Sequence, residues 1–251
     1  MPIIVLDPAH GGEDIGAISK KGLLEKDVTL AIALKTAEYL RQVGVDVRLT
    51  RTIDQSMNLS QRTQYANNIG ADLFICIHIN EGGGTGFESY IYTTVSDTAT
   101  IFANNTMHRK LAGYFNNFGL ADRGEKRGDF FVLRDTLMPA SILECGFMDH
   151  PVDAELLSHQ GFIYGLALSL SQSIANVFGY PEPSRTAKQI SNYYMDVVEG
   201  MEHAQHYIDF LFEKGIMLGD GKGHFMPLDS MNRMTFAIIL GRAIEYLKNE
   251  E

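Results

Sequence analysis

The stretch Ile3-Ile4-Val5-Leu6-Asp7-Pro8-Ala9-His10-Gly11-Gly12 passes from branched apolar residues to a histidine and two glycines. A second stretch, Leu73-Phe74-Ile75-Cys76-Ile77-His78-Ile79-Asn80, has the same order of an apolar run followed by a histidine. Such runs predict buried strands of a parallel sheet. Each histidine is then expected where a strand ends, which is where ligand sites collect in α/β sheets.

Strand-like and helix-like runs alternate over the first 178 residues. We predict an α/β fold with a mostly parallel, twisted sheet that helices cover on both faces. The predicted strands span residues 3–6, 45–49, 73–79, 86–93, 130–133 and 140–144, and the predicted helices span residues 27–43, 59–69, 98–118 and 160–177. The highly charged segment 122–129 is predicted to be a loop.

The segment Gly179-Tyr180-Pro181-Glu182-Pro183-Ser184 interrupts this alternation with two prolines. Prolines at this spacing end a helix and are typical of a linker. The prediction is therefore an α/β domain over residues 1–180 and a small all-α C-terminal domain over residues 181–251.

Composition excludes several classes of partner. The chain carries 21 Lys and Arg against 31 Asp and Glu, a net charge of −10, which argues against a nucleic acid. No stretch approaches the roughly 20 apolar residues of a membrane helix, so no membrane partner is expected. Because strand-like sequence begins at once, without a basic leader, we expect synthesis in the cytoplasm without a signal peptide. Cys76 and Cys145 lie in apolar runs and are expected to be buried and reduced.

The side chains of His10, His78 and Glu25 suit a catalytic Zn²⁺. Two imidazoles and one carboxylate leave a fourth coordination position for water. Two alternatives stay open at the level of residue types. The histidines could be unrelated core residues, and Glu25 could serve the dipole of the helix that follows it.

Several further motifs accompany these residues in order. They are Arg51, Leu59-x-x-Arg62, Gly86-Phe87-Glu88-Ser89-Tyr90 and Met138-Pro139-Ala140-x-Ile142-Leu143-Glu144-Cys145-Gly146-Phe147. Together, residues 2–178 resemble the zinc-dependent N-acetylmuramoyl-L-alanine amidases of the amidase-3 type, with Ala9 where the family usually has Gly. These enzymes cut peptidoglycan between the lactyl group of muramic acid and the first alanine of the stem peptide. The resemblance implies one Zn²⁺ per chain, bound by His10, Glu25 and His78, with Glu144 as the catalytic carboxylate.

The setting of Glu144 supports that role on chemical grounds. A carboxylate in an apolar strand has a raised pKa, and one that is held off the metal can accept a proton from water and deliver it to the leaving nitrogen. The alternative is a carboxylate that caps a helix or pairs with a buried arginine.

Two residues are candidates for substrate binding. Asn80 follows His78 by two positions, so it would lie on the same side of the strand, and its alternative is a turn residue before Glu81-Gly82-Gly83-Gly84. Arg123, in the charged segment 122–129, is the candidate for binding a carboxylate of the stem peptide.

The last 65 or so residues resemble a single S-layer homology motif. The matching residues include Ile208-x-x-Leu211-x-x-x-Gly215-Ile216, Phe225-x-Pro227 and Met231-Asn232-Arg233-Met234-Thr235. The resemblance implies binding of a secondary cell-wall polymer, with Arg233 as the contact residue. A homodimer formed through the apolar faces around Ile208, Leu211, Phe212, Ile238 and Ile239 is the alternative, and we favour it because Asn232 and Thr235 depart from the motif.

The sequence therefore predicts a zinc amidase that hydrolyses peptidoglycan and acts on the cell wall after release. The lack of a leader suggests phage-induced lysis, with a bacterial autolysin as the alternative. A zinc peptidase on another peptide and a wall-binding protein without activity are the other classes, and the intact Glu144 argues against the last.

Overall fold

The computed structural model describes residues 1–184, 193, 202–219, 223, 225 and 233–249, and for residues 202–204, 233–235 and 249 the backbone alone. The strands are β1 Ile3–Pro8, β2 Asp46–Leu49, β3 Leu73–Asn80, β4 Phe87–Tyr92, β5 Asp122–Gly128 and β6 Ala140–Phe147. The helices are α1 Glu25–Gln42, α2 Leu59–Asn68, α3 Thr98–Asn116, α4 Phe131–Arg134, α5 Pro151–Ser158, α6 Gln160–Phe178, α7 Glu202–Glu213 and α8 Arg233–Asn249.

The six strands form one sheet in the order β2-β1-β3-β6-β4-β5. The first four are parallel to one another, whereas β4 runs antiparallel to β6 and β5 runs parallel to β4. This confirms the predicted α/β class with a mostly parallel sheet.

Successive side chains of the central strands enter two different cores. Leu6 and Ile77 belong to a large core that α1, α3 and α6 cover, and Val5 and Cys76 belong to a smaller core under α2 and α4. Helices on both faces explain why β1 and β3 are apolar without interruption. Cys76 and Cys145 are both buried and free, as predicted.

Helix α6 is long and apolar enough to cross a membrane, whereas the sequence was expected to contain no such stretch. Of the most apolar 18 residues of α6, 61% are buried inside the protein, and the helix packs against α1 and α3. A helix that is apolar on most sides is typical of the core of a globular domain. Its place in the large core therefore accounts for its composition.

The ends of two helices decide where functional residues lie. Helix α1 begins at Glu25, two residues before the predicted start, so this carboxylate belongs to the first helical turn. Helix α2 begins after Asn58, whose side chain accepts from the amide of Gln61 while the Gln61 side chain accepts from the amide of Asn58. This capping box fixes the start of α2 at Leu59.

Two predicted elements are wrong. Segment 122–129 is mostly the edge strand β5, and residues 130–133 are mostly the short helix α4. Charged side chains are accommodated in β5 because both faces of this strand have polar partners. On one face Glu125 accepts from Asn104 of α3, and on the other Lys126 donates to Glu88 of β4. A strand without apolar alternation cannot be recognised from hydrophobic period alone. Helix α5 was not predicted.

Part of the C-terminal segment packs onto the large core. Phe212 of α7 is fully buried, and its ring centroid lies 5.4 Å from that of Phe118 and 4.5 Å from that of Tyr193. Ile208 is buried in the same core, and Ile216 is also buried. Of the residues proposed for a dimer, Ile208 and Phe212 are thus covered within one chain. Helix α8 differs, because Phe236, Ile238, Leu240, Ile244 and Leu247 are exposed. The backbone of Arg233 begins α8, and its side chain and Asn232 lie outside the described residues.

Candidate metal centre and active site

The loop after β1 holds His10 in an unusual conformation. His10 has a φ of 61°, and it is the one non-glycine residue with positive φ in the part of the chain that the structure describes. Such a backbone conformation costs an L-residue free energy, so it persists only where the surrounding structure holds it in place. Two buried arginines do so, because Arg62 donates to the carbonyl oxygen of His10 at 2.7 Å and Arg51 donates to that of Ala9 at 2.9 Å. Arg62 also pairs with buried Asp7 at 2.7 Å.

Glu25 lies at the centre of the site and is buried. Its Oε2 is 3.2 Å from Nε2 of His10, and its Oε1 is 3.0 Å from Nδ1 of His78. Backbone amides of Ala17 and Ile79 donate to the two oxygens at 2.8 and 2.9 Å. Burial by itself would raise the pKa of Glu25, but the hydrogen bonds with both histidines and with Ala17 hold that pKa well below its usual value. The carboxylate is therefore ionised.

The donor set of His10, Glu25 and His78 fits a divalent metal. Their ligating atoms all lie within 4.8 Å of one another, and the two imidazole rings meet edge to face with centroids 5.1 Å apart. Nitrogen and carboxylate donors in this number suit zinc. The backbone leaves room for them, since a Cβ on Gly16, whose φ is 64°, would lie 2.5 Å from Oε2 of Glu25.

Asp14, which was not predicted from the sequence, contacts the cluster from its outer side. Its Oδ1 lies 2.9 Å from Nδ1 of His10, so Nε2 of that ring faces Glu25. A carboxylate that bonds the outer nitrogen of a metal-binding histidine fixes the ring and its tautomer. The spacing of four residues after His10 in a glycine-rich loop is the signal that could have identified it.

Glu144 lies beside the cluster on the neighbouring strand. It is opposite His78 in the β3–β6 register. Its Oε2 is buried and has no hydrogen-bond partner among the described residues. Burial raises the pKa of Glu144 to about 7, although the nearby histidine His78 acts in the opposite direction. Such a carboxyl group can accept and release a proton near neutral pH.

Asn80 and Arg123 meet at a residue that the sequence analysis did not single out, Glu88. Glu88 of β4 is buried and lies opposite Glu144 in the β4–β6 register. Nδ2 of Asn80 donates to its Oε1 at 3.0 Å, and Nε of Arg123 donates to its Oε2 at 2.7 Å. Lys126 donates to Oε2 and Tyr90 donates to Oε1. Burial alone would raise the pKa of Glu88, but the hydrogen bonds from Lys126, Arg123 and Tyr90 lower it.

The strand ends of this sheet thus bring together a His-Glu-His group able to bind a metal and a buried carboxyl group with an unbonded oxygen. Hydrolytic enzymes that use a metal and a separate acid-base residue require these two features. Residues 4–176 match the N-acetylmuramoyl-L-alanine amidase family, Amidase_3. The chain belongs to this family.

Individual relatives agree with that assignment. N-acetylmuramoyl-L-alanine amidase CwlM of Bacillus licheniformis is 44% identical over 177 residues, which are 70% of this chain and 68% of the relative. The endolysin of Bacillus phage SPP1 is 37% identical over 185 residues, which are 72% of this chain and 68% of the relative. The solved catalytic domain of the amidase CwlV from Bacillus (Paenibacillus) polymyxa var. colistinus superposes with a TM-score of 0.66 at 32% identity, covering 72% of this chain and all of that one.

Proposed function

We propose that this chain is a zinc-dependent N-acetylmuramoyl-L-alanine amidase. It hydrolyses the amide bond between muramic acid and the L-alanine of the stem peptide in peptidoglycan. One observation carries the proposal: His10, Glu25 and His78 converge beside Glu144, whose Oε2 is buried without a hydrogen-bond partner among the described residues. Family membership supplies the substrate class.

In this proposal His10, Glu25 and His78 hold one Zn²⁺ per chain. A zinc ion held there would activate water as the nucleophile and polarise the carbonyl group of the substrate. Glu25 contributes the negative charge, and the amides of Ala17 and Ile79 fix its two oxygens. Asp14 orients the ring of His10 from the outer side.

Glu144 is the proposed acid-base residue. Its unbonded Oε2 accepts the proton of the attacking water and then delivers it to the amide nitrogen as that nitrogen departs. Arg123 and Asn80 are proposed to bind the stem peptide. Both donate to Glu88, which lies on the strand next to Glu144, so both side chains lie close to the proposed acid-base residue.

Residues 1–180 are proposed to form the catalytic unit, because all of these groups precede Pro181. The solved CwlV catalytic domain, whose entire chain aligns to 72% of this one, supports a unit of that length. The tail over residues 181–251 is proposed to act as an S-layer-homology-like attachment segment or as a dimer contact. The exposed apolar side chains of α8, which include Ile238 and Ile244, favour the dimer. Arg233 is the residue proposed to bind wall polymer in the other case.

The setting follows from the substrate. An amidase of this specificity acts on the cell wall, and its relatives include a phage endolysin and a sporulation-specific amidase of Bacillus subtilis. We propose lysis of a bacterial host as the role. Bacterial autolysis is the alternative that the second relative represents.

Digestion of purified peptidoglycan tests the proposed reaction. Mass spectrometry should show free stem peptides that begin with L-alanine, and the amount of reducing sugar should stay constant because the glycan strands are not cut. New reducing ends, or peptides cleaved within the stem, would assign the chain to a glycosidase or a peptidase instead. Sedimentation velocity of the full-length chain tests the tail: a dimer that Ile244→Asp dissociates supports association, whereas a monomer that pellets with purified walls supports polymer binding.

A further inference from the structure

Five polar side chains lie in one row across neighbouring strands. His78 of β3 is opposite Glu144 of β6, and Glu144 is opposite Glu88 of β4. Beyond Glu88, Arg123 and Lys126 of β5 complete the row by donating to its Oε2. The row begins at the candidate metal centre and ends at the edge strand of the sheet.

The far end of this row carries an excess of positive charge. Arg123 and Lys126 share the single carboxylate of Glu88, so one positive charge is left over at that end. The two side chains are 35% and 34% exposed, whereas Glu88 is 2% exposed. The anion is thus buried beneath two cations that solvent reaches. Although the chain as a whole carries a net charge of −10, the local excess of positive charge favours an acidic ligand at this place.

The cations are held in place. Besides its bond to Glu88, the guanidinium of Arg123 lies 4.8 Å from the ring centroid of Phe147, and the ammonium of Lys126 lies 5.6 Å from that of Tyr90. Tyr90 is itself anchored to Glu88 through its hydroxyl. Side chains fixed in this way lose less freedom when they bind a carboxylate.

The distance from His78 to the two cations at Glu88 limits which residue of the substrate can contact them. Neighbouring strands lie about 4.8 Å apart, so Glu88 is two spacings, or about 10 Å, from His78. An extended peptide advances about 3.3–3.6 Å per residue, so about three residues cover that distance. An acidic group that reaches Arg123 and Lys126 therefore belongs to the second or third residue after the cleaved bond.

We propose that Arg123 and Lys126, positioned by buried Glu88, form a subsite for a free carboxylate on the second or third residue of the stem peptide. This inference rests on the proposed amidase function and names the substrate it prefers. The enzyme discriminates between walls whose peptides carry that carboxylate and walls in which it is converted to a carboxamide. In this subsite Arg123 and Lys126 are the two cations that bind the carboxylate, and Glu88 is the residue that positions them.

The test uses synthetic N-acetylmuramoyl tripeptides in pairs that differ only in a carboxylate or a carboxamide, one pair at the second residue and one at the third. We expect the zinc-loaded full-length enzyme to prefer the acid in one pair by about tenfold in kcat/KM, the size expected for a partly exposed charge-assisted contact. Arg123→Ala and Lys126→Ala should each move that ratio toward 1, and Lys126→Arg should retain it. Because the ratio compares two substrates on one enzyme, the fraction of folded protein cancels.

Arg48→Ala is the matched control, because Arg48 lies on β2 at the opposite edge of the sheet and pairs with Asp46. It should keep the wild-type ratio. A wild-type ratio near 1 in both pairs, or an unchanged ratio in both alanine variants, would overturn the subsite. Binding of the free tripeptides, measured by calorimetry, gives the same comparison without turnover. A preserved acid preference in binding with no amide cleavage would count against the amidase function alone, and equal binding of acid and amide would count against the subsite alone.

Discussion

The candidate metal centre and the C-terminal tail are anchored by different forces. Around His10, directional bonds from Arg51 and Arg62 fix individual backbone carbonyls. The tail is anchored on the large core mainly through rings, with Phe212 between Phe118 and Tyr193. Directional bonds fix atoms within tenths of an ångström, whereas apolar burial fixes only which surfaces are covered. Changes in the first region should therefore alter chemistry, and changes in the second should alter stability.

Removal of the metal should have the largest effect. Chelation should abolish peptide release, and added Zn²⁺ should restore it, because the proposed mechanism depends on the metal. His10→Ala and His78→Ala should lose both zinc and activity, as measured by metal analysis and muropeptide release. The matched control is His206→Ala, which changes an exposed histidine of α7 and should keep both zinc and activity. Full turnover by a chelated enzyme that contains no metal would contradict this prediction.

Glu144→Gln should separate catalysis from metal binding. The substitution keeps the shape of the side chain and removes its proton acceptor, so the rate should fall by about 10² to 10⁴ while zinc stays bound. The rate is measured on a soluble muropeptide together with the zinc content. Glu38→Gln, on the exposed surface of α1, serves as the control. Loss of zinc in the Glu144 variant would mean that this carboxylate is a ligand.

Arg62→Ala should destabilise the metal-centre region by about 3–5 kcal/mol, because it leaves the buried carboxylate of Asp7 without its charged partner. The free energy of unfolding, from urea denaturation, measures the effect. Arg48→Ala breaks an exposed pair with Asp46 and should change little. Similar losses in the two variants would show that burial of the Asp7–Arg62 pair adds nothing.

Phe212→Ala should lower the free energy of unfolding by about 3 kcal/mol, since it empties a fully buried ring position. The turnover of the folded enzyme on a soluble muropeptide should not change. Phe236→Ala removes a ring that is 58% exposed on α8 and should stay within about 0.5 kcal/mol. Two separate unfolding transitions in the wild-type chain would show that the tail and the core are not one cooperative unit.

Asp14→Asn should have the smallest effect of the series. It weakens the contact that orients His10, and zinc affinity should fall by about tenfold while the metal still binds. Titration against a competing chelator measures the change. Glu13→Gln removes the same charge from the neighbouring residue and should leave affinity unaltered. An equal loss in both variants would point to a general effect of loop charge.

The sequence predicted most of the sheet and the residues proposed for the metal site, because both depend on local patterns. Apolar runs identified β1, β3 and β6, and the polar residues that follow or interrupt those runs were His10, His78 and Glu144. The sequence failed where an element is not apolar. Strand β5 reads as a charged loop until Glu88 and Asn104 are known to flank it.

The sequence by itself determined the α/β class, the buried strands and the chemical types of the candidate ligands, since strand burial and residue chemistry are written in neighbouring residues. Only the tertiary structure decided that Asp14 orients His10, that Glu88 gathers Asn80, Arg123 and Lys126, and that Phe212 packs on Phe118. Most of these contacts join residues far apart in the chain. Their partners are chosen by sheet order and strand register, which no local pattern contains.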